Sequence, residues 1–173
     1  GADAAGGGGM MALDEFDDPD GAHGMPADVR PLRLVPENRG WTDLGNARRL
    51  VERHGSTVRY AARWGRWLTW AGGRYHLDDN DVAVTGLASD VAQELWQQVP
   101  LAEPGDRAEL IRHARRSEQA AAHRAMVHLA RSQPGVAVDH DQFDVDPYAL
   151  NVANGVIDLN TGELLPHDPA RLM

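Results

Sequence analysis

The chain has 173 residues, enough for one domain plus a tail, and 42% of them are hydrophobic, enough for a core. It has no cysteine, which excludes disulfides, thiolate catalysis and Cys-based zinc sites, and no lysine among its 17 basic residues, which excludes a Walker A ATPase loop and Schiff-base chemistry within this chain. The formal net charge of −9 argues against a polyanionic partner only if it is evenly spread, and it is not: residues 41–74 carry seven arginines against two acids and residues 107–131 six against two, while 1–40, 75–106 and 132–173 are net acidic. Charges are screened over about 8 Å at physiological salt, so these local patches outweigh the total.

The first 40 residues, rich in Gly, Asp, Ala and Pro without a period, predict a flexible acidic linker, with a domain from 41 to 173. "TDLGNARRLVERHG" predicts a helix: Thr42 caps it, Asp43 suits the positive end of its dipole, and Gly55 suits the stop. The stretch from Val58 to Leu77 predicts a three-stranded antiparallel meander. Gly72-Gly73 forms a two-residue loop that pairs Trp70 with Tyr75 and Leu68 with Leu77. For the preceding turn, a three-residue loop Arg63-Trp64-Gly65 pairs Tyr60 with Leu68 and Val58 with Trp70. A two-residue Trp64-Gly65 loop would put Arg59 and Ala61 on the Leu68/Trp70 face and force positive φ on tryptophan. The first is preferred, because register follows the buried face. It buries Trp70 and Tyr75 and turns Trp67 outward with Arg59, Thr69, Arg74 and His76. Trp64 then lies at a loop tip between Arg63 and Arg66. Exposed aromatics among arginines suit base stacking and phosphate contact; the plainer alternative packs Trp67 under a helix and leaves the arginines solvated.

"TGLASDVAQELWQQV" predicts a second, well-buried helix, with Leu87, Ala88, Val91, Ala92, Leu95, Trp96 and Val99 on a wide apolar stripe. Residues 106–133 predict one long third helix, with Ile111, Ala114, Ala122, Ala125 and Leu129 on a narrow stripe broken by Glu118. Arg112, Arg115, Arg116 and Arg124 lie on its other faces. The last part reads as strands and turns. Asn160-Thr161-Gly162 joins "GVIDL" to "ELLP" in a hairpin whose register (Leu159 opposite Glu163 or Leu164) the sequence leaves open, and Asn154-Gly155 marks another turn.

Catalytic chemistry is not legible. His113, His123 and His128 lack the i, i+4 spacing of a helical zinc pair, and "DHDQFDVDP" fails as an EF-hand loop because Phe143 and Asp144 fall where an oxygen ligand and glycine are required. No nucleophile elbow, dinucleotide fingerprint or phosphate loop is present. The expectation is no catalytic residue, no metal site and no cofactor in this chain. No apolar run of membrane-spanning length and no signal peptide are found, which predicts a soluble cytoplasmic protein.

Taken together and in order, "TDLGNARRLVERHG", "YAARWGRWLTWAGGRYHLDD", "RRSEQ" and "LNVANGVIDLNTGELLPHDP" resemble the domain that precedes the superfamily 3 helicase in phage and plasmid primase–helicases, similar to the poxvirus-type helicase N-terminal region. The resemblance implies an upstream primase region, a downstream ATP- and Mg-dependent hexameric helicase absent from this chain, and homo-oligomerisation in the full-length context in a bacterial host. This chain would then be a fragment or a split gene product from the middle of a replication protein. The expected fold is α+β: a helix, a three-stranded meander, two helices and a C-terminal β-hairpin. The expected role is accessory, linking priming to unwinding. It would contact single-stranded or forked DNA through Arg59, Arg63, Trp64, Arg66, Trp67 and Arg74, with Arg112, Arg115 and Arg116 as a second patch. The alternatives are a structural spacer or oligomerisation collar without nucleic-acid affinity, and an independent regulatory DNA-binding protein.

Overall fold

The computed structural model describes residues 40–173; the expected linker lies outside the described residues, save Gly40. The first helix, α1 (Asp43–His54), starts where its cap predicts: the Thr42 Oγ1 accepts from the Gly45 amide at 3.0 Å. Gly55 closes it in a right-handed conformation (φ −61°), its amide bonded to the Val51 carbonyl at 2.7 Å, so the stop needs no left-handed residue.

The meander follows as β1 (Val58–Ala61), β2 (Arg66–Ala71) and β3 (Arg74–Leu77). The β2–β3 register is the expected one, with Trp70 opposite Tyr75 and Leu68 opposite Leu77. The β1–β2 register is not: Val58 faces Thr69, Arg59 faces Leu68, and Tyr60 faces Trp67. The turn is neither of the two loops considered but the four residues Ala62–Gly65, with Gly65 at φ +66° supplying the left-handed position. One extra turn residue exchanges the faces of the strand. Trp67 therefore joins Val58 and Tyr60 on the helix side and is 0% exposed, which overturns its outward placement. Arg59 moves to the other face, with Leu68, Trp70 and Tyr75.

After β3, Asp78 is buried, its two carboxylate oxygens accepting the amides of Ala83 and Val84 at 2.9 Å each. This starts α2 (Val82–Gln98), which buries Val84, Ala88, Val91, Ala92 and Leu95. The expected single third helix is two, α3 (Pro104–Ser117) and α4 (Ala120–Ala130), broken at Gln119 (ψ 143°). Continuation in phase from Leu110, Ala114 and Ser117 would bury position 121. The break instead buries Ala122, Met126, Val127 and Ala130, and leaves Glu118 at the joint to accept the Trp96 Nε1 proton at 2.8 Å.

A short strand that sequence reasoning did not find, β4 (Ala137–Val138), runs parallel to β1 and completes a sheet of order β3-β2-β1-β4. The main core lies between this sheet and α1, α2 and α4: Leu50, Val58, Trp67, Val84, Val91, Met126 and Val136 are its largest fully buried side chains, with Tyr60 edge-on to Trp67 at 5.3 Å. A second, smaller core joins Trp41 to Leu95, Leu110 and Ala114.

The C-terminal hairpin is present as β6 (Gly155–Asp158) and β7 (Leu164–Leu165), with Val156 opposite Leu165 and the Asp158 amide bonded to the Glu163 carbonyl at 2.9 Å, so neither open pairing of Leu159 occurs. A further strand, β5 (Ala149–Val152), makes it a three-stranded antiparallel sheet. One face buries Val156; the other leaves Tyr148, Leu150, Leu159 and Leu164 about half exposed. The sheet is fastened to the meander at Gly73. Asn151 Nδ2 donates to the Gly73 carbonyl at 3.0 Å, and His167 Nε2 lies 3.1 Å from Asn151 Oδ1 and 2.9 Å from the Val152 carbonyl. Both neighbours are acceptors, so that ring nitrogen carries the proton.

Candidate nucleic-acid interface

Two groups of arginines were expected at a DNA surface, and the fold treats them differently. At the meander, Trp67 is sealed in the core and cannot stack on a base. Arg59 is spent inside the domain: its Nη1 donates to the carbonyls of Gly55 and Val58, and its guanidinium lies 5.7 Å from the Tyr75 ring centre. Arg66 is paired with Asp79 at 2.5 Å. Arg63 and Arg74 are exposed, on the turn and at the start of β3, and Arg74 Nε lies 3.4 Å from His76 Nε2. Trp64 is 47% exposed, but its ring stacks on Phe143 at 6.3 Å and meets His140 edge-on at 6.0 Å. Phe143 in turn meets Tyr75, and Tyr75 meets Trp70, so the second face of the sheet carries an aromatic chain rather than a free stacking platform.

On α3 the arrangement is more open. Arg112, Arg115 and Arg116 are all exposed, and their i, i+3, i+4 spacing puts them on adjoining turns of one helix. Arg116 reaches Asp43 at 3.2 Å, an exposed pair. Trp41, which the sequence reading left aside, borders the same surface. A recess of about 190 Å³ is lined by Trp41, Glu109, Arg112, His113 and Arg116. Different cores underlie the two arginine groups: the large one beneath the meander and the Trp41/Leu95/Leu110/Ala114 cluster beside α3.

Behind the recess, α1 and α3 are joined by a buried polar network. His113 Nε2 lies 3.0 Å from Asn46 Oδ1 and 3.3 Å from Ser117 Oγ, and Asn46 Nδ2 donates to Ser117 Oγ at 2.8 Å. Arg49 Nη1 donates to Asn46 Oδ1 at 3.2 Å and to the Gly40 carbonyl at 3.0 Å. Burial, followed by the neighbouring Arg116 and Arg49 charges, pushes the His113 imidazole down to about 4, against a weaker upward pull from Asp43. His113 is therefore neutral near pH 7. Ser117 is 0% exposed, so the His–Ser contact has no route to a substrate and serves helix packing.

A recess of about 660 Å³ is bordered by Asp141, Asp144 and Asp146 with Arg171, a charge balance opposite to what a polyanion requires. Among the described residues, no group of three or more His, Asp or Glu is placed to hold a metal ion, and no helix is long and apolar enough to cross a membrane.

Among the described residues, this architecture defines a small α+β module of four α-helices and two sheets with arginines displayed on the outer side of α3. The chain matches the family described as D5 N terminal like over residues 47–173, from within α1 to the last residue, and it belongs to that family of domains, which stand N-terminal to the primase–helicase region in phage and plasmid proteins. Comparison with curated proteins gives no match.

Proposed function

We propose that this chain is the accessory domain of a phage- or plasmid-type replication primase–helicase, that it links priming to ATP-driven unwinding in the cytoplasm of a bacterial host, and that it contacts single-stranded or forked DNA. The family match over 47–173 carries the reading. ATP and Mg belong to the helicase region of such a protein. Its partners are the upstream primase region, the downstream helicase and further copies of itself. The DNA contact is supported by the three exposed arginines of α3, in a segment with six arginines against two acids, with Arg63, Trp64 and Arg74 as a secondary contact at the meander turn.

Salt titration of binding to single-stranded and forked oligonucleotides tests it. Three phosphate contacts on a single strand give a log–log salt slope of about −2, and changing Arg112, Arg115 and Arg116 together to Gln removes most of the binding. Salt-dependent binding indifferent to the triple change moves the contact from α3 to the meander turn; undetectable binding at low salt refutes the DNA contact. The spacer or oligomerisation collar would then stand, a reading favoured by one observation of its own: the half-exposed apolar face formed by Tyr148, Leu150, Leu159 and Leu164.

A further inference from the structure

We infer that the recess beside α3 seats one nucleotide of a single DNA strand, its base against the Trp41 indole and its phosphate across Arg112 and Arg116; this rests on the DNA-contact reading above and names where it occurs. Trp41 is only partly buried: it packs against Leu95, Leu110 and Ala114, yet also forms a wall of the open recess. An indole anchored on one side and accessible on the other is the element on which unpaired bases stack, in any sequence. At about 190 Å³ the recess is smaller than the roughly 300–1,000 Å³ typical of small-molecule sites, which suits a single base rather than a whole cofactor.

Arg112 and Arg116 stand one turn apart at its edge, where two guanidinium groups can flank one phosphate. Arg116 is held there by Asp43 at 3.2 Å, an exposed pair worth little in water, so the Asp43 carboxylate occupies the place that a phosphate oxygen takes when a strand binds. His113 lines the recess as a neutral imidazole and adds no charge, and Glu109 is the single acid of the lining, so the phosphate sits on the Arg112/Arg116 side. A duplex keeps its bases stacked and cannot offer one to the indole, so the site selects single strands.

The experiment uses the full chain and a 5′-labelled 15-nucleotide oligo-dT, read by fluorescence anisotropy from 50 to 200 mM salt. Trp41→Leu keeps the apolar packing but removes the stacking face; it should weaken binding by about 5- to 100-fold and leave the salt slope unchanged. Arg112→Gln and Arg116→Gln should each reduce the slope by about 0.7. Asp43→Asn should tighten binding several-fold, whereas Glu163→Gln, the same charge change on the C-terminal sheet, should not. A thermal melt of each variant reports its folding. If Trp41→Leu melts far below the wild type, Trp41→Tyr, which keeps a ring, together with the Asp43/Glu163 comparison decides. Salt-dependent binding that is indifferent to Trp41→Leu, or an Asp43→Asn variant no tighter than Glu163→Gln, overturns the recess while leaving the phosphate-contact reading in place. Absence of salt-dependent binding by the wild type overturns both.

Discussion

Replacing Trp67 by alanine tests the strand register on which the surface assignment rests. The indole is 0% exposed, lies among Val58, Val84, Val91 and Met126, and meets Tyr60 edge-on at 5.3 Å. A tryptophan buries about 150–250 Å², which at about 25 cal/mol per Å² gives an upper bound of about 4–6 kcal/mol. Truncations of buried aromatics to alanine cost about 3–5 kcal/mol. With a urea slope of about 2 kcal/mol per M, the midpoint of unfolding should fall by about 1.5–2.5 M. The indole N–H meets no acceptor among the described residues, so Trp67→Phe, which deletes that orphan donor along with part of the area, should cost much less than Trp67→Ala. Trp64, 47% exposed on the turn, is the internal control: its alanine variant should lose about 1 kcal/mol or less. A Trp67→Ala loss below about 1 kcal/mol, or equal losses at 64 and 67, would refute the four-residue turn and restore the outward tryptophan.

Three further outcomes follow from the packing. Gly73 stands at φ +86°, and a Cβ there would lie 2.5 Å from the His167 ring, so Gly73→Ala should cost about 1–3 kcal/mol from the backbone alone and more from the clash. In thermal melts the His167→Ala, Gly73→Ala double variant should lose less than the sum of the singles, because the ring that collides is gone. Since the folded-state pKa of His113 lies near 4, below the ordinary value near 6.5, the unfolded chain binds the extra proton between those values. His113 therefore contributes its full stability above about pH 6.5 and loses it as pH falls towards 4, at up to about 1.4 kcal/mol per pH unit; urea titrations of His113→Gln should show a shallower acid limb. Arg59→Ala should cost about 1–2 kcal/mol in chemical denaturation, through its two carbonyl contacts, yet change DNA affinity less than twofold.

Local chemistry was readable wherever one residue type settles a conformation. Thr42 marked the start of α1, and Gly72-Gly73 fixed the second hairpin to the residue. The first hairpin was not readable, because "RWLTWA" places a tryptophan on each face and both faces are covered, by helices on one side and by Phe143 and the C-terminal segment on the other. A strand with no solvent side has no alternation to announce its register. Glu118 interrupting an apolar stripe was the visible trace of the break between α3 and α4, where its side chain accepts from a Trp96 indole 22 residues away. The two-residue β4 carries no period at all, and the recess depends on Trp41 meeting α3 across about 70 residues of chain, a proximity no local pattern encodes.

Surface turns ordinarily tolerate gain or loss of a residue, since closing a slightly longer loop costs little entropy. The Ala62–Gly65 turn has no such freedom. Dropping a single position there would expel an indole from the interior and drag a guanidinium inward, so length change at this point should be rejected by selection unless a second indel restores parity. Among relatives of this domain, the spacing between the tyrosine at 60 and the tryptophan at 67 should therefore vary in steps of two, or not at all.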